Sequence, residues 1–188
     1  MYLSTVMPDV DGSVLFDRYA TLDLTVTLPD TIATQIEDSS GDTEVGHLQS
    51  AVVDDGSGEL EIQDIAGDLA VTDSSGELKI RKVGGNLSVK NSSGDLQIEE
   101  VQGSVEIPVD SSGDIRIAHV ASVHIANDSS GGIYIEHVKQ DVTIDTDSSG
   151  DISVEDVGGN FSVRVDGSGD IDYEHVAGKV DLPGHHGS

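Results

Sequence analysis

The chain of 188 residues carries 36 Asp plus Glu against 9 Lys plus Arg, a formal net charge of −27. Such a field repels nucleic acid and anionic membrane surfaces, whereas regularly spaced hydrophobic residues, 36% of the total, argue against a disordered chain. The sequence has no cysteine, which excludes disulfides and Cys-ligated metal, and its 3% of aromatic residues are too few for a platform that stacks bases or sugars.

Residues 1–37 are predicted to form an N-terminal cap of strands. Apolar and polar residues alternate between positions 22 and 28, as in a half-buried strand, and Pro29 with Asp30 indicates a turn. A cap of this kind would cover the open strand edge of whatever follows. The first residues lack the basic start and apolar core of a signal peptide, and no apolar run approaches the roughly 18 residues of a membrane span, so we expect no membrane insertion.

A six-residue motif, Asp-Ser-Ser-Gly-Asp-Ile at positions 110–115, recurs with small changes eight times at intervals of 17 to 19 residues. The copies begin at Asp38, Asp55, Asp73, Asn91, Asp110, Asp128, Asp147 and Asp166. A fixed period this short is typical of a solenoid. We therefore predict an all-β fold, a single-stranded β-helix (β-solenoid) of 17–19-residue coils over residues 38–183, with right-handed winding and a short tail at 184–188.

Each coil has two strand segments in which apolar residues recur at every second position. In the coil that starts at Gly94, the apolar residues are Leu96, Ile98, Val101, Val105 and Ile107. Glycines such as Gly94 and Gly103 are expected at both corners because glycine tolerates positive φ. The Asp or Asn that opens the motif can accept backbone N–H bonds in an Asx-turn. Stacked coils would then form apolar ladders at a spacing of about 4.8 Å.

The recurrent pattern Ser-Gly-Asp-(Leu/Ile)-x-(Ile/Val)-x-x-Val-x-Gly, together with the segment at 22–30, resembles a bacterial and archaeal family of adhesin-like β-strand-repeat domains of unknown function. The resemblance covers residues 22–182. It implies a β-helical fold, a cell-envelope or extracellular location, and an adhesin-like role in interaction. The repeat carries no catalytic motif.

Two acidic rows recur at the motif corner, one opening the motif and one following its glycine, and both are expected to face water. Stacked like charges about 4.8 Å apart repel by roughly 1 kcal/mol in water, and Ca²⁺, which takes about six to eight oxygens, would relieve that repulsion. The candidate cation row consists of Asp95, Asp110, Asp114, Asp128, Asp147, Asp151, Asp166 and Asp170. In the simpler alternative, the opening row caps turns and the second row is only solvated.

A polar row lies six residues after each motif glycine. It contains His47, Asp64, Lys82, Glu100, His119, His137, Asp156 and His175. A position that accepts every polar type is predicted to point outward. His119 and His137 lie on adjacent coils with Glu136 nearby, so a zinc site is conceivable, although structural zinc needs four ligands.

The sequence favours a non-enzymatic scaffold or adhesin-like interaction domain of the cell envelope or cell surface, with a protein or surface glycan as partner. An acidic Ca²⁺-binding module is the alternative; otherwise no cofactor is expected. A polysaccharide-active enzyme is disfavoured, because Asp recurs in every coil and no carboxylate pair is singled out. Adaptation to high salt would also account for the acidity. Solenoid ends can associate, so a homo-oligomer is a further expectation.

Overall fold

The computed structural model describes Val26 and residues 31–184. This part of the chain contains fifteen β-strands and no helix. The strands are β1 Ala33–Asp38, β2 Thr43–Leu48, β3 Ser50–Asp55, β4 Leu60–Ile65, β5 Leu69–Asp73, β6 Leu78–Val83, β7 Leu87–Asn91, β8 Leu96–Asp110, β9 Ile115–Ile125, β10 Ile133–Val138, β11 Val142–Asp147, β12 Ile152–Val157, β13 Phe161–Asp166, β14 Ile171–Val176 and β15 Val180–Asp181. The prediction of an all-β fold is therefore confirmed.

All strand pairs are parallel, and each joins equivalent positions of successive coils. One stack contains β2, β4, β6, β10, β12, β14 and the first halves of β8 and β9. The second stack contains β1, β3, β5, β7, β11, β13, β15 and the second halves of β8 and β9. Leu78, Leu96 and Ile115 pair in register, so the coils that start at Gly76 and Gly94 are neighbours, as the solenoid prediction requires.

The apolar residues at alternate strand positions point into the interior between the two stacks. One ladder is exposed by no more than 1% at any of its central rungs, which are Leu60, Leu78, Leu96, Ile115, Ile133 and Ile152. Each such side chain contributes roughly 1.5–3 kcal/mol on burial, against the entropy of ordering the chain. The interior is one continuous apolar core, in which the predicted ladders are confirmed.

One non-glycine residue in every coil of the first stack has a left-handed backbone, with φ between 52° and 59°. These are the residues of the polar row: His47, Asp64, Lys82, Glu100, His119, His137, Asp156 and His175. The left-handed residue inserts an extra position, so that Ile62 and Ile65 both point inward although they are three residues apart. The outward direction of the row is confirmed, since every member is exposed or half-buried. The left-handed residue bends the strand at the same place in every coil and leaves the register between coils unchanged, a feature that the sequence interpretation missed.

Replacing Glu100 by glycine is expected to stabilise the protein by a few tenths to about 1 kcal/mol. Relief of left-handed strain, roughly 1–2 kcal/mol, exceeds the 0.5–1 kcal/mol that glycine costs in an extended strand. The matched control is Ser153→Gly at an outward, extended position of β12, which is expected to destabilise. Urea unfolding measures both. Equal losses in the two variants would contradict the left-handed conformation of Glu100.

The two corners of a coil use glycine for different reasons. The motif glycines have positive φ, as predicted, for example +109° at Gly94. The glycines at the other corner are Gly67, Gly85, Gly103, Gly159 and Gly178, and none of them has a positive φ. The expectation of positive φ is therefore wrong for this second corner. Glycine is needed there because a Cβ at Gly103 would lie 2.5 Å from the carbonyl oxygen of Gly85 in the coil beneath.

The predicted cap at residues 1–37 lies largely outside the described residues. Its last segment is β1, which pairs in parallel with β3 from Ala33↔Ser50 to Asp38↔Asp55 and so forms a rung of the second stack. The cap itself stays a prediction, as does the tail, of which residues 185–188 are outside the described part. Within the described residues, no helix has the length and apolar character needed to cross a membrane.

Candidate functional site

The residue that opens each motif lies at the end of a strand of the second stack or, for Asp128, three residues beyond that end, and in six coils it points into the solenoid. In β5, for example, Asp73 continues the inward series of Leu69 and Val71. We call six of these residues the buried row, because each is exposed by 1% or less: Asp55, Asp73, Asn91, Asp110, Asp128 and Asp147. The expectation that the opening acids face water is therefore wrong. The two-residue period of the strand places Asp55, Asp73 and Asn91 on the inner face. Asp110, Asp128 and Asp147 lie three residues after the last inward apolar residue of their coil, so one inserted residue, which appears as a register shift between β7 and β8, turns them inward.

Hydrogen bonds satisfy the buried row only in part. Asp73 and Asp147 each accept the N–H of the serine two residues on, at 3.2 Å, which confirms the predicted Asx-turn in these coils. Asn91 donates its side-chain N–H to the carbonyl oxygen of Gly94 at 2.9 Å. By contrast, neither carboxylate oxygen of Asp110 or Asp128 makes a hydrogen bond of good geometry. The middle of the row thus holds carboxyl groups with unused acceptors.

Burial raises the pKa values of these carboxyl groups. The pKa of Asp128 rises from 3.8 to about 7, mainly through desolvation and further through the charges of Asp110 and Asp147 on the adjacent coils. Desolvation also raises the pKa values of Asp55, Asp110 and Asp147 to about 6. Backbone N–H groups of the following turn oppose these shifts without cancelling them. The buried row therefore takes up protons far more readily than an exposed aspartate does.

Four of the acids that follow the motif glycine, all of them aspartates at the surface, bind the backbone of the next coil. The Oδ1 atom of Asp114 accepts the N–H of Gly132 at 2.9 Å, which is the main reason why the pKa of Asp114 is lowered. The same bond joins Asp42 to Glu59, Asp95 to Asp114 and Asp151 to Asp170, at 3.0 to 3.1 Å. These aspartates are coil-to-coil caps, so the view that this row is only solvated is wrong for them.

A second line of caps lies at the opposite corner and was missed by the sequence analysis. Asp68 accepts the N–H of Asn86 at 2.8 Å, and Asn86 in turn accepts the N–H of Ser104 at 3.1 Å. Asp141 and Asn160 repeat the arrangement four coils after Asp68 and Asn86. The signal was present in the sequence as an Asp or Asn directly after the corner glycine, in Gly-Asp at 67–68 and Gly-Asn at 85–86.

The predicted cation row is divided between these two environments. Asp110, Asp128 and Asp147 are buried and Asp166 is half-buried, whereas Asp114 is half-buried at the surface and Asp95, Asp151 and Asp170 are exposed. The eight residues therefore do not form one continuous set of ligands on a single surface. Calcium binding by this row stays a prediction.

Two histidines of the polar row, His119 and His137, lie on adjacent coils and stack on each other. The rings of His119 and His137 stack with centroids 4.7 Å apart and an interplanar angle of 4°. This places the two rings face to face, and His137 Nδ1 lies 3.9 Å from Glu136 Oε2. In the described part of the chain, the group whose ligand atoms lie within 4.8 Å of one another is a different one, the exposed Glu155, Glu174 and His175. The structure thus does not gather His119, His137 and Glu136 into the predicted zinc site.

A chain of ion pairs crosses four successive coils on the outer face of the second stack. His124 contacts Glu106 at 2.8 Å and Asp145 at 3.0 Å, and Arg164 contacts Asp145 at 3.1 Å. The bond to Asp145 is the main cause of a raised pKa at His124, and the bond to Glu106 adds to it. Through these two contacts the imidazole of His124 joins three coils at the surface.

The same outer face carries a shallow depression of about 420 Å³. Its floor is formed by the small outward side chains of Val52, Ala70 and Ser88, which pair in register on β3, β5 and β7. Asp68 and Glu106 lie at its margin. Val52 is 52% exposed, so the floor presents apolar surface to solvent. This is a surface on which an extended partner could lie.

Residues 20–141 match the family model described as Toastrack DUF4097, and this match covers about two thirds of the chain. The comparison with curated proteins finds no match, and neither does the comparison with solved structures. The coils continue beyond the matched range, since β11 to β15 pair in the same parallel manner.

Proposed function

The chain belongs to the Toastrack DUF4097 family, a domain of unknown function, and we propose that it is a non-enzymatic scaffold that binds another macromolecule along its strand faces. Its place of action is the cell envelope or the cell surface. The adhesin-like role expected from the repeat pattern is a form of the same proposal.

The observation that carries this proposal is the regularity of the outer faces. Two parallel stacks present in-register rows of side chains over successive coils, and the surface aspartates at both corners cap the backbone of the neighbouring coil. These aspartates stabilise the stacking of the coils, and they recur because the coils recur. A surface of this kind suits recognition over a long, flat contact area.

The charge and shape of the second stack indicate the chemistry of the partner. The chain has a formal net charge of −27, and acids border the apolar floor formed by Val52, Ala70 and Ser88. A protein segment with both basic and apolar side chains would satisfy both features. A surface glycan is the other partner class, since polar groups line the same face.

A capture experiment tests the proposal. The purified protein is immobilised and exposed to envelope extract, and we expect one or a few partners to be enriched. Ala70→Arg places a long cationic side chain in the depression and is expected to abolish that enrichment. The matched control is Ser153→Arg, which adds the same charge at an exposed position of the opposite stack.

Two results would contradict the proposal. The first is that no partner is enriched by the unmodified protein. The second is that both arginine variants lose the partner equally, which would assign binding to net charge and not to the depression. Circular dichroism of each variant verifies that the β-solenoid is intact.

A further inference from the structure

The buried row contains five aspartates on stacked coils, and Asn91 separates the first two from the last three. Asp110 and Asp128, and likewise Asp128 and Asp147, are direct parallel bridge partners on successive coils. Asp55 pairs with Asp73 in the same way at the other end of the row. Neighbouring carboxyl groups in a parallel ladder are about 4.8 Å apart, within the range where two charges interact strongly when water is excluded.

No cationic side chain in the described part of the chain offsets the buried row. The groups that act on it from neighbouring elements are further acids, namely Asp38 on β1, Asp95 before β8 and Asp166 on β13. The remaining contributions come from the amide of Asn91 and from backbone N–H groups of the turns. Several adjacent, buried and uncompensated carboxylates would be strongly destabilising.

We propose that the buried row is a proton-binding site, in which neighbouring carboxyl groups share protons and so couple the stability of the solenoid to pH. A protonated carboxyl group donates its O–H to the carboxylate of the next coil and leaves no charge of its own in the interior. This supplies partners for the free oxygens of Asp110 and Asp128. Asn91, a neutral residue with its own donor, already occupies one rung of the row.

A bound Ca²⁺ is the competing occupant. It requires about six to eight oxygen ligands at 2.3–2.6 Å. Asp110 and Asp128 together offer four free carboxylate oxygens, and both side chains are 0% exposed. Protons need neither additional ligands nor extra space, and for this reason we favour them.

The direction of the pH dependence follows from the raised pKa values. The folded state holds protons up to about pH 6–7, whereas the unfolded chain releases them near 3.8. Between these limits the folded state binds more protons, so stability rises as the pH falls from 8 towards 5 and is lost again on return to pH 8. An exposed aspartate with an ordinary pKa contributes no such dependence in this window.

Urea unfolding at pH 8 and pH 5.5 tests the proposal with a matched pair on one strand. Asp55→Asn removes a charge from the buried row, and Asp54→Asn removes one from the adjacent, exposed position of β3. We expect the folding constant of the unmodified protein to be roughly tenfold or more larger at pH 5.5, since one pKa unit corresponds to a factor of ten. Asp55→Asn, and more so Asp128→Asn, should raise the free energy of unfolding at pH 8 and reduce its dependence on pH. Asp54→Asn should leave the pH dependence of the free energy of unfolding unchanged.

Two further measurements test the proposal even if the asparagine variants at positions 55 and 128 do not fold. Asn91→Asp adds a carboxyl group to the row and should destabilise the protein more at pH 8 than at pH 5.5. Infrared spectra of the unmodified protein at pH 6 should show the C=O stretch of protonated carboxylic acid. Absence of that band, or stability that falls or stays flat between pH 8 and 5.5, would overturn the proposal. So would a large stabilisation by millimolar Ca²⁺ at matched ionic strength that removes the pH dependence, since the occupant would then be the cation.

Discussion

Replacing Gly131 by alanine is expected to destabilise the protein by more than about 3 kcal/mol, an unusually large loss for one methyl group. Gly131 has a φ of +128°, a conformation that alanine adopts only under strain. An added Cβ would also overlap the carbonyl oxygen of Gly113 in the coil beneath. Because the obstructing atom belongs to the backbone, it cannot move aside without separating two hydrogen-bonded coils.

Gly41→Ala is the control that isolates the stacking contribution. Gly41 has a similarly positive φ of +114°, but a Cβ there would meet no atom of the described residues within 4 Å. The Gly41→Ala variant should therefore lose only the free energy of the strained backbone conformation, about 1–3 kcal/mol. Thermal and urea unfolding of the two variants measure the difference. Equal losses would mean that close contact between coils contributes nothing to the requirement for glycine.

Truncating Ile98 to alanine is expected to cost about 2–5 kcal/mol. Ile98 is 0% exposed and lies at a central rung, in register with Ile80 and Ile117 of the coils on either side. The cavity left behind cannot collapse easily, since the backbone spacing between coils is fixed by the hydrogen bonds of the parallel ladder. In a solenoid the loss also weakens both neighbouring interfaces.

Val52→Ala is the matched control for Ile98→Ala. Val52 is 52% exposed and points outward, so its truncation should change the free energy of unfolding by no more than about 0.5 kcal/mol. Urea unfolding measures both losses, with one slope of the free energy of unfolding against urea concentration applied to the two variants. A loss below about 1 kcal/mol at Ile98 would contradict a continuous, well-packed core.

Several features of the fold could be predicted from the sequence because they repeat. The spacing of the motif glycines predicts coils, and the alternation of Leu96, Ile98 and their counterparts predicts inward-facing ladders. Both predictions hold because identical segments can stack only in register, so one coil constrains all the others.

The burial of the acids that open the motif was not predicted from the sequence. Asp73 follows Leu69 and Val71 at the same two-residue period, so its inward direction could have been read from the strand pattern. Because aspartate is normally charged, it was expected to face water despite that strand pattern. The capping role of Asp68 was likewise available from its position after a corner glycine, but only the structure identifies the N–H of Asn86 as the bond that it makes.

By itself, the sequence determined the repeat, the strand content and the composition of the core, because these depend on periods of two and of about eighteen residues along the chain. Only the tertiary structure decided which acids are buried, where the backbone turns left-handed and which glycines meet a neighbouring carbonyl. Those properties arise from contacts between residues about eighteen positions apart, and such contacts exist only once the coils are stacked.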